Sequence, residues 1–111
     1  MNVADHYTYR VHWSAEDEAY VGTAAELPSM SWVAGSLSGA LAGIRDLCAE
    51  AVQDMATSGE TPPEPMGDRT YSGKFMVRIP PEAHRRLTVE AAEQRVSLNR
   101  LVASRLVRPA I

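Results

Sequence analysis

The residues of this chain that could serve as metal ligands, acids or nucleophiles are few, and the sequence spreads them apart. Three consecutive acids at residues 16–18 fall in a predicted hairpin turn. Two-metal hydrolysis needs carboxylates that converge from neighbouring elements on ions about 4 Å apart. His6 and His12 share a face of a predicted strand, but no cysteine or third histidine lies nearby at the spacing of a zinc site. Cys48 falls on an apolar helical stripe, where a cysteine is more often a buried small side chain than a nucleophile. The sequence therefore predicts no catalytic residue, no metal and no cofactor.

A different signal lies at residues 74–79, where basic and apolar side chains alternate. Successive side chains of a β-strand point to opposite faces. One face of this predicted strand is apolar (Phe75, Val77 and Ile79), and the other carries Lys74, Met76 and Arg78. A lone strand of this length is not stable, so the apolar face needs a pairing strand as well as a core.

The elements around this strand follow from local patterns. Pro81 suits the first turn of a helix predicted over residues 82–94, and Ser97 is a good N-cap for a second helix over residues 98–107. Upstream, residues 6–13 and 19–25 predict a hairpin, residues 30–33 a short third strand, and residues 36–56 a long amphipathic helix. We expect an α+β fold in which this helix crosses a small N-terminal antiparallel sheet.

Charge divides the chain near residue 68. Residues 1–68 hold two arginines and eleven acids, a net charge of −9, whereas residues 69–111 hold eight arginines and one lysine against three acids, a net charge of +6. A stretch rich in proline, glycine and acids separates the halves and is typical of a semi-rigid linker. The predicted domains are residues 1–60 and 71–111, joined by a linker over residues 61–70. The basic half is so short that it needs a partner subunit to fold.

The strand, the two helices and the basic excess together resemble a ribbon–helix–helix DNA-binding domain. In that fold, two chains pair their strands into a ribbon that enters the major groove, and their helices form an intertwined homodimer. The resemblance implies base contacts from Lys74, Met76 and Arg78, and phosphate contacts from Ser97, Leu98 and Asn99. Met76 stands where many relatives have a polar residue, and Arg95 where they often have glycine, which implies a left-handed backbone costing about 1 kcal/mol. The implied dimer core consists of Phe75, Val77, Ile79, Leu87, Leu98, Leu101, Val102 and Leu106.

Over residues 6–107, the order of the two halves is similar to the HicB family of type II antitoxins, most specifically in the block SGKFMVRIPPEAHRRL and in VSLNRLV. That resemblance implies a partial RNase H-like N-terminal domain without a nuclease site, which binds and blocks a HicA-like mRNA-cleaving toxin. It also implies repression of the chain's own operon through operator double-stranded DNA. An acidic surface complements a basic toxin. The candidate toxin contacts are Glu16, Asp17, Glu18, Asp46, Glu50 and Asp54.

Two other functions stay open at this point. The chain is an orphan repressor if no toxin gene accompanies it, and an RNase H-like nuclease if Asp5 or Glu26 holds a metal. Further association of the dimers is open too. No segment is apolar enough over its length to span a membrane, and residues 1–6 lack the features of a secretory signal. We therefore expect a bacterial cytoplasmic protein that is nucleoid-associated when it binds DNA.

Overall fold

A three-stranded antiparallel sheet covered on one face by a long helix forms the first part of the chain. The computed structural model describes residues 2–107, and the chain divides into two units, Met1–Ser72 and Gly73–Ile111. In the first unit the strand order is β1-β2-β3. The strands are β1 (Tyr9–Ser14), β2 (Ala19–Ala24) and β3 (Ser31–Ala34), the helix is α1 (Leu37–Thr57), and two 3-10 turns cover Val3–His6 and Met66–Asp68. The expected α+β class, with its small antiparallel sheet, is confirmed.

Helix α1 packs on the sheet because its buried side chains recur every four residues. The hydroxyl of Ser36 caps its start by accepting a hydrogen bond from the Gly39 amide at 3.0 Å. Ala40, Ile44 and Cys48 are fully buried. Helix and sheet approach closely at Gly22 of β2, where a Cβ atom would lie 2.7 Å from the carbonyl oxygen of Ala40. Only glycine fits there.

The strand register determines which side chains face α1. In β1 and β2, Trp13 lies opposite Tyr20, and Val11 lies opposite Gly22. Directly opposed residues share a face of the sheet, so Trp13, Tyr20 and Val11 are on the α1 side together with Gly22. The rings of Trp13 and Tyr20 meet edge to face, with centroids 5.1 Å apart.

Residues 61–71, called the strap below, follow α1 and are hydrogen-bonded to earlier residues of the first unit. The Tyr7 hydroxyl donates to the carbonyl of Pro63 at 2.8 Å, and the Met66 amide donates to the Glu26 carboxylate at 2.9 Å. Pro65 is buried. These contacts attach the segment to the first unit, whereas its composition suggested a linker. The domain boundaries at residues 60 and 70 stay predictions.

The second unit contains a pair of helices, α2 (Pro81–Gln94) and α3 (Leu98–Leu106). Arg95 ends α2 in the left-handed conformation, with φ 56° and ψ 41°, as its place in the motif implied. The Ser97 hydroxyl caps α3 by accepting a hydrogen bond from the Arg100 amide at 3.0 Å. Ala91 and Leu101 are the buried apolar side chains between the helices.

Residues 74–79 have no regular secondary structure in this single chain, and every one of them is exposed. A strand requires a hydrogen-bonded partner strand, and no strand of the described residues includes this segment. The paired ribbon and the intertwined dimer therefore stay predictions. No helix in the described part of the chain has the length and hydropathy needed to cross a bilayer.

Candidate binding surfaces

Four exposed large apolar side chains lie together in residues 74–79. Phe75 is 75% exposed and Met76 86%, and Val77 and Ile79 are also exposed. A contiguous apolar stretch that a single chain leaves in water marks an interaction site. Three of the predicted dimer-core residues, Phe75, Val77 and Ile79, are thus uncovered in one chain.

The remaining predicted dimer-core residues lie on the helix pair and differ in burial. Leu101 is buried between α2 and α3, whereas Leu106 is 62% exposed at the end of α3. Leu87, Leu98 and Val102 are half-buried. The helix pair therefore covers its apolar stripe only in part.

The predicted DNA contacts are exposed side chains and backbone groups. Lys74, Met76 and Arg78 lie in the exposed segment. Leu98 and Asn99 are the first residues of α3, and the first N–H groups of a helix have no partner within it and suit an anion such as phosphate. Their assignment as DNA contacts stays a prediction.

The six acids predicted to contact a toxin are all exposed but form two groups. The acids at residues 16–18 are in the β1–β2 hairpin tip, whereas Asp46, Glu50 and Asp54 follow one another at four-residue steps along α1. Tyr20, beside the tip, pairs with Ala34, which precedes α1. The hairpin tip therefore lies near the start of α1. Helices rise about 1.5 Å per residue, so Asp46, the first acid of the group on α1, lies more than about 10 Å along the helix from its start. The structure does not bring the six acids into one cluster.

Glu26 is the buried charged side chain of the first unit, at 6% exposure. Its carboxylate accepts hydrogen bonds from the Thr8 amide at 2.8 Å, from the Thr8 hydroxyl at 3.0 Å and from the Met66 amide at 2.9 Å. Burial alone would raise the pKa of Glu26, but the bonds from the Met66 and Thr8 amides outweigh it and hold the pKa below its ordinary value. Both carboxylate oxygens bind the chain itself, so Glu26 anchors the strap.

The sequence interpretation considered Glu26 only as a nuclease residue and missed this anchoring role. A single acid within the apolar stretch Ala24-Ala25-Glu26-Leu27 was the available signal, because buried carboxylates need several donors. Its partner at residue 66 is 40 positions away, and no local pattern indicates such a contact.

The other candidate ligands lie apart. The expectation that His6 and His12 share a strand face is wrong, because His6 lies in the first 3-10 turn, where its Nδ1 atom is 2.8 Å from the Asp68 carboxylate. That hydrogen bond raises the pKa of His6. Cys48 is fully buried, and burial raises the pKa of its thiol. Among the described residues, no three His, Cys, Asp or Glu side chains form a group that could hold a metal ion.

Comparison with known proteins gives one informative result. No curated protein matches the chain, and no solved structure matches it. One family model matches residues 57–106, a region that runs from the end of α1 through the strap and both helices of the second unit. Over that region the chain matches the HicB family, and the match supports its membership of that family.

Proposed function

We propose that this chain is the antitoxin of a type II toxin–antitoxin pair, which blocks a HicA-like mRNA-cleaving toxin through its first unit and represses its own operon through its second. The observation that carries the proposal is the exposed alternating segment at residues 74–79, directly before two helices and inside the region that matches the HicB family. We assign no catalytic residue to the chain.

The exposed segment supports DNA binding through its two faces. If two copies pair their segments as antiparallel strands, Phe75, Val77 and Ile79 leave water together, which supplies the neighbour and the core that one chain lacks. The opposite face then presents Lys74, Met76 and Arg78. A two-stranded ribbon fits the major groove, where Arg or Lys donates to guanine and an apolar side chain contacts the thymine methyl group.

The first unit supports binding of a basic protein rather than of nucleic acid. Through residue 68 the chain carries a net charge of −9, and this unit would repel DNA or RNA. A toxin that grips RNA must expose basic groups, which an acidic partner can cover. The second unit, with its excess of arginine, is then the part that meets DNA.

Two substitutions at neighbouring positions test the ribbon. Phe75→Asp places a charge in the shared core, so we expect a monomer that no longer binds the DNA upstream of its own gene. Met76→Asp places the same charge on the opposite face, so the dimer should persist while DNA binding weakens. Light scattering after size-exclusion chromatography gives the mass, and a gel-shift titration gives the affinity. A dimeric Phe75→Asp protein or a monomeric Met76→Asp protein would contradict the assignment of the faces.

Purification of the tagged chain from its native host tests toxin binding. We expect a small basic protein in stoichiometric amount, which cleaves mRNA alone and is inactive in the complex. Recovery of the chain alone would refute the antitoxin proposal and favour a repressor without a toxin.

A further inference from the structure

The outer edge of β1 is an open sheet edge whose backbone groups have a defined direction. The Ala25 amide donates to the Thr8 carbonyl at 3.0 Å, so the backbone groups of Thr8 point toward the β2 side. The direction alternates along an antiparallel strand, which turns the N–H and C=O groups of Tyr9, Val11 and Trp13 away from β2. Since β1 is an edge strand of the sheet, these three residues present donors and acceptors to the outside.

Nothing in the described residues of the first unit pairs with this edge. The segment that follows α1 is the strap, and its prolines at positions 62, 63 and 65 have no N–H with which to form a ladder. Its hydrogen bonds reach His6, Tyr7 and Glu26, all of which lie before β1 begins or after β2 ends. The β1–β2 register is continuous over six residues, without a bulge or a proline, so β1 has neither of these two protections of an edge strand. The other edge, β3, has only four residues.

The charge around the β1 edge indicates which kind of protein can pair with it. Pairing with a second copy would bring together two units that each carry a net charge of −9 through residue 68, which repel one another. At the end of β1, Trp13 is 55% exposed and stands edge to face with Tyr20, next to the acids at residues 16–18. An exposed indole and carboxylates attract Arg and Lys side chains. The surface therefore fits a basic protein that contributes an extended strand.

We propose that the basic toxin partner adds a strand to the outer edge of β1, with its backbone bonded to Tyr9, Val11 and Trp13 and its Arg or Lys side chains on Trp13 and the hairpin-tip acids. This inference rests on the proposed function, since it names where the toxin docks. Main-chain bonds then supply affinity, and the flanking side chains supply specificity.

Val11→Pro tests the edge without removing a bond within the sheet. Proline lacks the N–H that points outward at this position, and edge strands tolerate it there. Val11→Ala is the matched control, because it shortens the same half-buried side chain and keeps the N–H group. Binding is measured by calorimetry between the full-length chain and the small basic protein that co-purifies with it. We expect Val11→Pro to weaken binding at least about tenfold relative to Val11→Ala, since an added strand loses a hydrogen bond and meets the proline ring.

Amide exchange in the wild-type complex provides a second measurement that needs no substitution. We expect the Val11 and Trp13 amides to exchange rapidly in the free chain and slowly in the complex. Equal binding by Val11→Pro and Val11→Ala, or unprotected Val11 and Trp13 amides in the complex, overturns the docking edge and leaves toxin neutralisation standing. If the wild-type chain binds no basic protein at all, the proposed function fails and the inference with it.

Discussion

Replacing Glu26 with glutamine tests whether this buried carboxylate holds the strap on the first unit. The carboxylate accepts three hydrogen bonds on two oxygens, from the Thr8 amide, the Thr8 hydroxyl and the Met66 amide. A glutamine oxygen can accept from one side only, and its NH₂ group then faces a donor. One buried N–H left unsatisfied costs about 1–3 kcal/mol, and the bonds that remain lose the strength that charge gives them. We expect Glu26→Gln to lower the free energy of unfolding by about 2–4 kcal/mol.

Urea unfolding of the full-length chain, followed by tryptophan fluorescence, measures this loss, because Trp13 and Trp32 both lie in the first unit. Glu64→Gln, at an exposed position in the strap, is the matched control and should change stability by less than about 0.5 kcal/mol. The lowered pKa of Glu26 means that its contribution is present above the ordinary value of 4.5 and is lost as the pH falls through the folded-state pKa. The difference between wild type and Glu26→Gln should therefore shrink in acid. Equal unfolding midpoints for the two glutamine variants at neutral pH would refute the anchoring role.

Three further predictions concern other parts of the chain. Gly22→Ala should destabilise the fold by about 1–3 kcal/mol, because the new Cβ meets the helix backbone at 2.7 Å. Gly43→Ala should destabilise it less in the same urea experiment, because its Cβ meets the half-exposed side chain of Trp32, which can rotate. Asp68→Asn should lower the pKa of His6 toward 6.5 in an NMR titration. In the wild type, the stabilising ion pair should be present below pH 6.5 and lost as the pH rises through the raised pKa of His6. An unchanged pKa of His6 in the variant would exclude the pair in solution. Arg78→Ala should weaken operator binding by about 1–3 kcal/mol in a gel shift while leaving the dimer intact, and unchanged affinity would remove Arg78 from base recognition.

Local patterns in the sequence predicted the elements of the first unit well. The apolar spacing of residues 36–56 and the capping serine at position 36 led directly to α1, because the helical period and the N-cap are both local signals. The first strand was predicted over residues 6–13, but it begins at Tyr9, three residues later. Residues 3–6 form a 3-10 turn instead, in which Asn2 caps the Ala4 amide. His6 therefore lies in this turn and not in the strand, and its side chain contacts Asp68.

Contacts between distant positions were the part of the first unit that the sequence did not reveal. Composition alone made residues 61–70 a linker, since proline and glycine disfavour regular structure. The strap nevertheless packs in place because Glu26 and Tyr7 offer an acceptor and a donor to its backbone. Neither side chain has a pattern that indicates a partner 40 or 56 residues away.

The second unit separates what one chain determines from what requires a second chain. Helices satisfy their backbone hydrogen bonds internally, so α2 and α3 form in the single chain, with Arg95 and Ser97 at their ends as their local signals indicate. A strand satisfies its hydrogen bonds only with a neighbouring strand, and residues 74–79 are exposed and have no regular secondary structure. The same reasoning applies to β1, which has β2 on one side and an open edge on the other. We infer that both surfaces are incomplete for the same physical reason. We propose that charge distinguishes their partners: the basic segment pairs with its own copy and meets acidic DNA, whereas the acidic unit repels its own copy and attracts a basic protein.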